Sequence, residues 1–287
     1  MIKSEVLRSI STHEIIESAL IEKSGKRYWT YIWELHRRGT KVEFEKAKEL
    51  TKNLAPMCRE IGADILGQLG HARKKFQEQS VRILIKMLAD PHPNVIASSA
   101  FALGHRNARE AVPFLAKLKN HRKKDVRDGV VYGLLGQQSQ EAIETLIDLS
   151  KDKTEEIRNW ATFGLGTQID VDTPKIRSAL EARLNEKNIE IRGEALVGLA
   201  KRRHPNATKW TKKALSEKNP IVLFLEAAET LASPKLYPDL IRIKRTIKRG
   251  DNEYFISCLD KALKACKPKG GIKRGRSQQS PKLFQEL

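Results

Sequence analysis

The chain has 287 residues, 40% hydrophobic and 31% charged, a balance that lets most of it bury enough apolar surface to offset the entropy of ordering. Its 54 lysines and arginines outnumber 35 acidic residues, and the formal +19 is spread as +3 over residues 1–55, +10 over 56–263 and +6 over 264–287, so a basic tail alone does not explain it. The longest apolar runs, such as Ile221 to Leu225, fall far short of the ~20 residues of a membrane span, and Cys58, Cys258 and Cys266 are too few and too scattered for a disulfide framework or a zinc cluster.

At the N-terminus, acidic residues precede any apolar core of the signal-peptide kind, which predicts a cytoplasmic protein. A first helical unit, RYWTYIWELHRRG, closes at Leu35. Then IGADILGQLG (61–70), SSAFALGHRN (98–107), GVVYGLLGQQ (129–138), WATFGLGTQI (160–169) and EALVGLAKRR (194–203) share a small-x-x-Leu-Gly or Leu-Ala signature. Its leucines are Leu66, Leu103, Leu134, Leu165 and Leu199, with weaker members at Leu231 and Leu263, and the steps are 37, 31, 31, 34, 32 and 32 residues. Such a period is the length of a helix pair. Before each signature runs a second stripe of helical spacing, as in Ile143, Leu146, Ile147 and Leu149. Turn residues such as Asp90-Pro91-His92-Pro93-Asn94 and Lys218-Asn219-Pro220 separate the two. The pattern predicts an all-α protein, a right-handed α-solenoid of about eight helix pairs over residues 1–267. Residues 268–287, Gly-, Lys- and Arg-rich without apolar periodicity, are predicted to form a basic, disordered tail.

The pairs Val126-Arg127, Ile157-Arg158 and Ile191-Arg192, each followed by small residues and a Leu-Gly, resemble the HEAT repeat in the variant first named from phycobilisome lyases. DVRDGVVYGLLG, EIRNWATFGLG, EIRGEALVGLAKR and DNEYFISCLDKAL are similar to segments of an enterobacterial HEAT-repeat protein of poorly defined function, a likeness that covers most of residues 27–267. The resemblance implies that the helix carrying Val-Arg lines a concave surface. With Val126, Ile157 and Ile191 as position 1, a helical wheel sends positions 1, 4, 5, 8 and 9 to the core and positions 3, 6 and 7 outward. Position 7 reads Trp33, Asp64, Phe101, Tyr132, Phe163, Val197 and Glu229. The predicted partner site is therefore Trp33, Phe101, Tyr132 and Phe163 with Asp128 and Asn159 of position 3, and Tyr132 and Phe163 are expected side by side. Trp160, at position 4, is expected in the core. Arg59, Arg127, Arg158 and Arg192, at position 2, are expected to pair with acidic residues of neighbouring turns. An electrostatic rim is predicted from Arg122, Lys123, Lys124, Arg202, Arg203, Lys209, Lys212, Lys213, Arg242 and Arg245.

The seven histidines form no His-x-x-x-His pair, so neither a metal nor another cofactor is expected. Iron-dependent HEAT enzymes such as deoxyhypusine hydroxylase carry repeated His-Glu pairs, and here only His13-Glu14 occurs. The resulting expectation is a protein that is not an enzyme: an adaptor or immunity-type module that engages an acidic macromolecular partner through its concave face and basic rim, without a membrane. The alternative is a nucleic-acid-binding HEAT protein, with or without base excision of the alkylated-base DNA glycosylase kind, whose cleft constellation Trp160, Tyr132, Phe163 and Asp128 could mimic although that family's Trp- and Asp-containing motif is absent.

Overall fold

A computed structural model of the chain describes residues 4–268 except 249 and 251; the predicted tail, from residue 269 on, lies outside the described residues. A short α1 (Ser4–Ser9) precedes eight pairs: α2 (Thr12–Ile21) with α3 (Gly25–Arg38), α4 (Lys41–Leu50) with α5 (Pro56–Gln68), α6 (Gln77–Met87) with α7 (Pro93–Arg106), and α8 (Val112–Ala116) with α9 (Lys124–Leu134). They continue with α10 (Gln140–Leu149) and α11 (Glu155–Phe163), α12 (Pro174–Arg183) and α13 (Ile189–Lys201), α14 (Ala207–Leu215) and α15 (Val222–Leu231), then α16 (Tyr237–Lys244) and α17 (Glu253–Cys266). No strand occurs among the described residues. Helix starts follow local chemistry. Ser11 with Glu14 and Thr40 with Glu43 close capping boxes on α2 and α4, and Pro56, Pro93 and Pro174 open α5, α7 and α12, where no backbone N–H is needed. Thr154 caps α11 without a side-chain bond, and that helix runs on into a π-helical turn over Gly164–Gln168.

Even and odd helices form two layers around one continuous seam. The signature leucines Leu35, Leu66, Leu103, Leu134, Leu165 and Leu199 are all fully buried, each stabilising the seam by roughly 1.5–3 kcal/mol. One apolar cluster runs from Ile15 to Leu199 and a second from Leu196 to Cys266, so α13 joins them. At most steps successive odd helices approach each other more closely than successive even ones. Small residues permit this: a Cβ on Gly198 would sit 2.6 Å from Gly166 Cα.

Arginines stitch the odd layer along both edges. Near the helix N-termini each pairs with a carboxylate of the following turn: Arg59 with Asp90 (2.7 and 2.8 Å), Arg127 with Asp152 (2.7 and 3.0 Å), Arg158 with Glu186 (3.1 and 3.0 Å) and Arg192 with Glu217 (2.8 Å). This is the pairing expected for position 2. At the C-terminal edge the donors point backward to carbonyls of the preceding repeat. Arg106 donates to the Leu66 carbonyl (2.7 Å) and the Lys75 carbonyl (3.1 Å), and Arg202 donates to those of Leu165 (2.9 Å) and Ile169 (2.8 Å). Arg202 is thus only 7% exposed, which corrects its placement on the rim. It lies three residues past Leu199, on the core side of the helix, where the last carbonyls of the previous helix lack intrahelical partners. Burial lowers the pKa of Arg106 to about 10 and lowers that of Arg202 as well.

Candidate contact face

The odd layer presents the aromatic residues on α3, α7, α9 and α11. Phe101 and Tyr132 lie with ring centroids 5.4 Å apart, and His105, one turn beyond Phe101, packs 5.0 Å from the Tyr132 ring with its Nδ1 3.1 Å from the phenol oxygen. Gly104 makes this possible, because a Cβ there would meet Tyr132 Cδ1 at 2.6 Å. Burial lowers the pKa of His105 and raises that of Tyr132, which keeps the pair neutral. Phe163 meets Trp160 edge to face at 5.6 Å, and among the described residues no ring contact joins it to Tyr132. Trp33 lies against His71 (5.3 Å) and His36 (6.1 Å).

Two wheel assignments need correction. Trp160 is 47% exposed, nearly as open as Trp33 at 48%, and not in the core. Position 4 falls on the flank where successive odd helices meet; Ile61 there is fully buried, whereas Ser98, Gly129, Glu194 and Glu226 at the same position are small or acidic. Val197, by contrast, is buried although position 7 was expected to face outward. Asp64 also interrupts the row: the Tyr28 hydroxyl donates to its carboxylate at 2.6 Å, and burial pushes its pKa up to about 6. Asp128 is half-buried beside Lys124 at 3.4 Å, and the Asn159 amide donates weakly to Glu190 at 3.4 Å.

Beyond α11 the face changes character. Glu155, Glu156, Glu190, Glu194, Glu226 and Glu229 lie on α11, α13 and α15 against only Arg158, Arg192 and Lys201, and both arginines are engaged with carboxylates of the next turn. Glu194 is pushed up to about 7 by burial and by the charge of Glu226. The predicted rim does not encircle the aromatic residues. Arg122 and Lys123 are exposed in the turn before α9, Lys124 opens that helix, and Arg203 is in the turn after α13. Lys209, Lys212 and Lys213 lie on α14, Arg242 on α16 and Arg245 just past it, all in the even layer. Lys212 bonds Asp239 (3.0 Å) and Arg242 donates to the Leu215 carbonyl (2.8 Å). The acidic stretch and the even-layer cations were missed as separate surfaces because charge was summed along the chain rather than by layer. Glu194 and Glu226 sharing one repeat position was the available signal. Among the described residues no three His, Cys, Asp or Glu side chains converge as a metal site requires, and no helix is long and apolar enough to cross a membrane.

Residues 81–166 match the family model for HEAT repeats. No curated protein sequence matches the chain. Among solved structures, YibA from Escherichia coli is similar at 26% identity over 91% of this chain and 94% of that one, with a TM-score of 0.69. The CpcE–CpcF complex of phycocyanin lyase from Nostoc aligns at 15% identity over 90% and 95% (TM-score 0.47), and human deoxyhypusine hydroxylase at 17% over 92% and 98% (TM-score 0.35). A phycocyanin lyase and a deoxyhypusine hydroxylase are among these structures, and the expectation that the chain is not an enzyme is withdrawn. The repeat packs helices, and chemistry depends on side chains grafted onto it. With its period, its buried leucine seam and its arginine-stitched odd layer, the chain is an all-α solenoid of helix pairs whose residues 81–166 match the HEAT-repeat model.

Proposed function

We propose that this array binds a protein partner through the odd-layer face, with Phe101, Tyr132, Trp160 and Phe163 as anchors and Trp33 as an outlying contact. The observation that carries the reading is the near half exposure of Trp33 and Trp160 together with the partial exposure of Phe101, Tyr132 and Phe163, the last three at repeat spacing, on the closely packed side of the solenoid. Aromatic side chains contribute disproportionately at protein interfaces, and contiguous exposed ones mark contact sites more often than solvated surface. The charge of +19 would steer an acidic partner's approach, chiefly from the even layer and the turns. An adaptor or immunity-type role fits this reading.

The test is a quantitative pull-down from native lysate with wild-type protein and the double variant Tyr132→Ala with Phe163→Ala, each with and without nuclease. The expected result is a protein retained after nuclease and weakened by on the order of 2 kcal/mol in the double variant, whose melting temperature stays near wild type. A second reading, nucleic-acid binding, is favoured by the run of Lys209, Lys212 and Lys213 on α14. Capture abolished by nuclease and indifferent to the aromatic substitutions would select it, as would a steep fall of DNA affinity with salt. The glycosylase variant of that reading is weakened by Asp128, which neighbours Lys124 and has no contact with Trp160 among the described bonds.

A further inference from the structure

An open, apolar-walled groove of ≈ 590 Å³ crosses the odd face from α11 to α17. Ile221, Leu223 and Phe255 supply its apolar wall, and Asn159, Glu190 and Glu194 its polar one; among the described residues no lysine or arginine lines it. In a chain with so large a positive excess, a groove whose described lining is acidic is unexpected from composition. Its polar wall is also incompletely satisfied. Asn159 Oδ1 and Glu194 Oε2 are buried atoms without a hydrogen-bond partner, although Asn159 Nδ2 reaches Glu190. Buried acceptors left unpaired are costly, and an incoming donor removes that cost.

We propose that this groove receives a segment of a protein partner that presents a lysine or arginine between apolar side chains. The methylene stem would lie along Ile221, Leu223 and Phe255 while the cationic head reaches Glu190, Glu194 and the Asn159 carbonyl oxygen. The proposal rests on the odd layer being the contact face, and it assigns the chemistry of what enters there. The charged groups around Glu194 are Glu190 and Lys201 on its own helix and Glu226 on α15; desolvation and the carboxylates hold its proton up to about pH 7, so a bound cation would compete with that proton.

The experiment uses the full chain and two fluorescein-labelled nonapeptides of Gly and Ser around a Leu-Lys-Leu-Lys-Leu core or a Leu-Gln-Leu-Gln-Leu core. The lysine peptide is expected to bind at least tenfold more tightly than the glutamine peptide. Glu190→Gln with Glu194→Gln should abolish that preference without lowering the melting temperature, and wild-type affinity for the lysine peptide should fall from pH 8 to pH 6 while the variant's does not. The Tyr132→Ala, Phe163→Ala protein should bind the lysine peptide within twofold of wild type, so failure of the aromatic anchors and failure of the groove are read separately. Equal affinity for the two peptides, or an unchanged preference in the charge-neutral variant, overturns the proposal. So does a tenfold gain in affinity on truncation after Lys267, which would make the chain's own basic tail the occupant.

Discussion

The two edges of the odd layer use the same residue type for opposite purposes. At the N-terminal edge Arg59, Arg127, Arg158 and Arg192 reach forward to carboxylates, and the charges cancel in pairs. At the C-terminal edge Arg106 and Arg202 reach backward to backbone carbonyls, and no carboxylate closer than the 4.0 Å from Arg202 to Asp172 balances them. The first edge joins repeats by ion pairs that still touch solvent at several steps; the second satisfies the last carbonyls of one helix with a side chain buried under the next. All six cations are engaged within the array, four with carboxylates and two with backbone carbonyls. Formal charge therefore overstates the positive surface of a repeat protein whose arginines are structural.

Substitution can break this contrast. Arg106→Ala is expected to have the largest effect, about 4 kcal/mol, because Arg106 is 1% exposed and its loss strands several buried carbonyls. Urea unfolding would measure it, with a melting midpoint lower by roughly 10 °C. A deficit below about 1 kcal/mol would show that the backward edge is no stronger than the forward one. At the forward edge, a double-mutant cycle of Arg127→Ala and Asp152→Ala should give a coupling of about 2 kcal/mol. That coupling should shrink in 1 M salt while the Arg106 deficit does not, since only the former depends on a pair of charges.

The smallest expected effect sharpens the comparison with a charge that has neither kind of partner. Glu194 titrates near 7 in the folded protein against 4.5 for an ordinary glutamate. A carboxyl whose pKa is raised by folding contributes stability below the ordinary value and loses it as pH rises through the folded one. The wild type should weaken between pH 5 and pH 8 by on the order of 1 kcal/mol, a figure reduced for the part of the group still facing water. Glu194→Gln should reduce that slope, leaving the share of Asp64, and be the more stable protein at pH 8. Thermal melts at the two pH values decide it, and a parallel slope in the variant would assign the effect elsewhere.

The repeat was legible because stacking constrains it: a leucine every 31–37 residues must return to the same seam, and Leu66, Leu103, Leu134, Leu165 and Leu199 all do. The forward arginines were legible for a similar reason, as they follow a core residue by one position. Trp160 was not, because an ideal wheel treats position 4 as core, whereas in a solenoid that flank borders the neighbouring repeat and can open to solvent. Arg202 was misplaced because a basic run, Lys201 to Arg203, reads as surface, yet its middle member falls on the core side and shares its offset from the signature leucine with Arg106. The site was read least well. Its face depends on which helices form which layer, and the acidic groove gathers residues from α11, α13, α15 and α17 that are about 100 positions apart at the extremes.

Cys266 occupies that same offset on α17, fully buried, its thiol donating to the Ala228 carbonyl at 3.2 Å and pushed to higher pKa by burial. Cys58, near the other end of the array, is only half-buried. The native chain therefore carries its own clock for opening at one end. A thiol reagent should modify Cys58 at a rate set by access, and Cys266 only when α17 lifts from α15, with a rate that reports the closed-to-open equilibrium of that repeat. Mass-resolved labelling over time would then separate peeling of α17 from collapse of the whole array, without a mutation or an added probe.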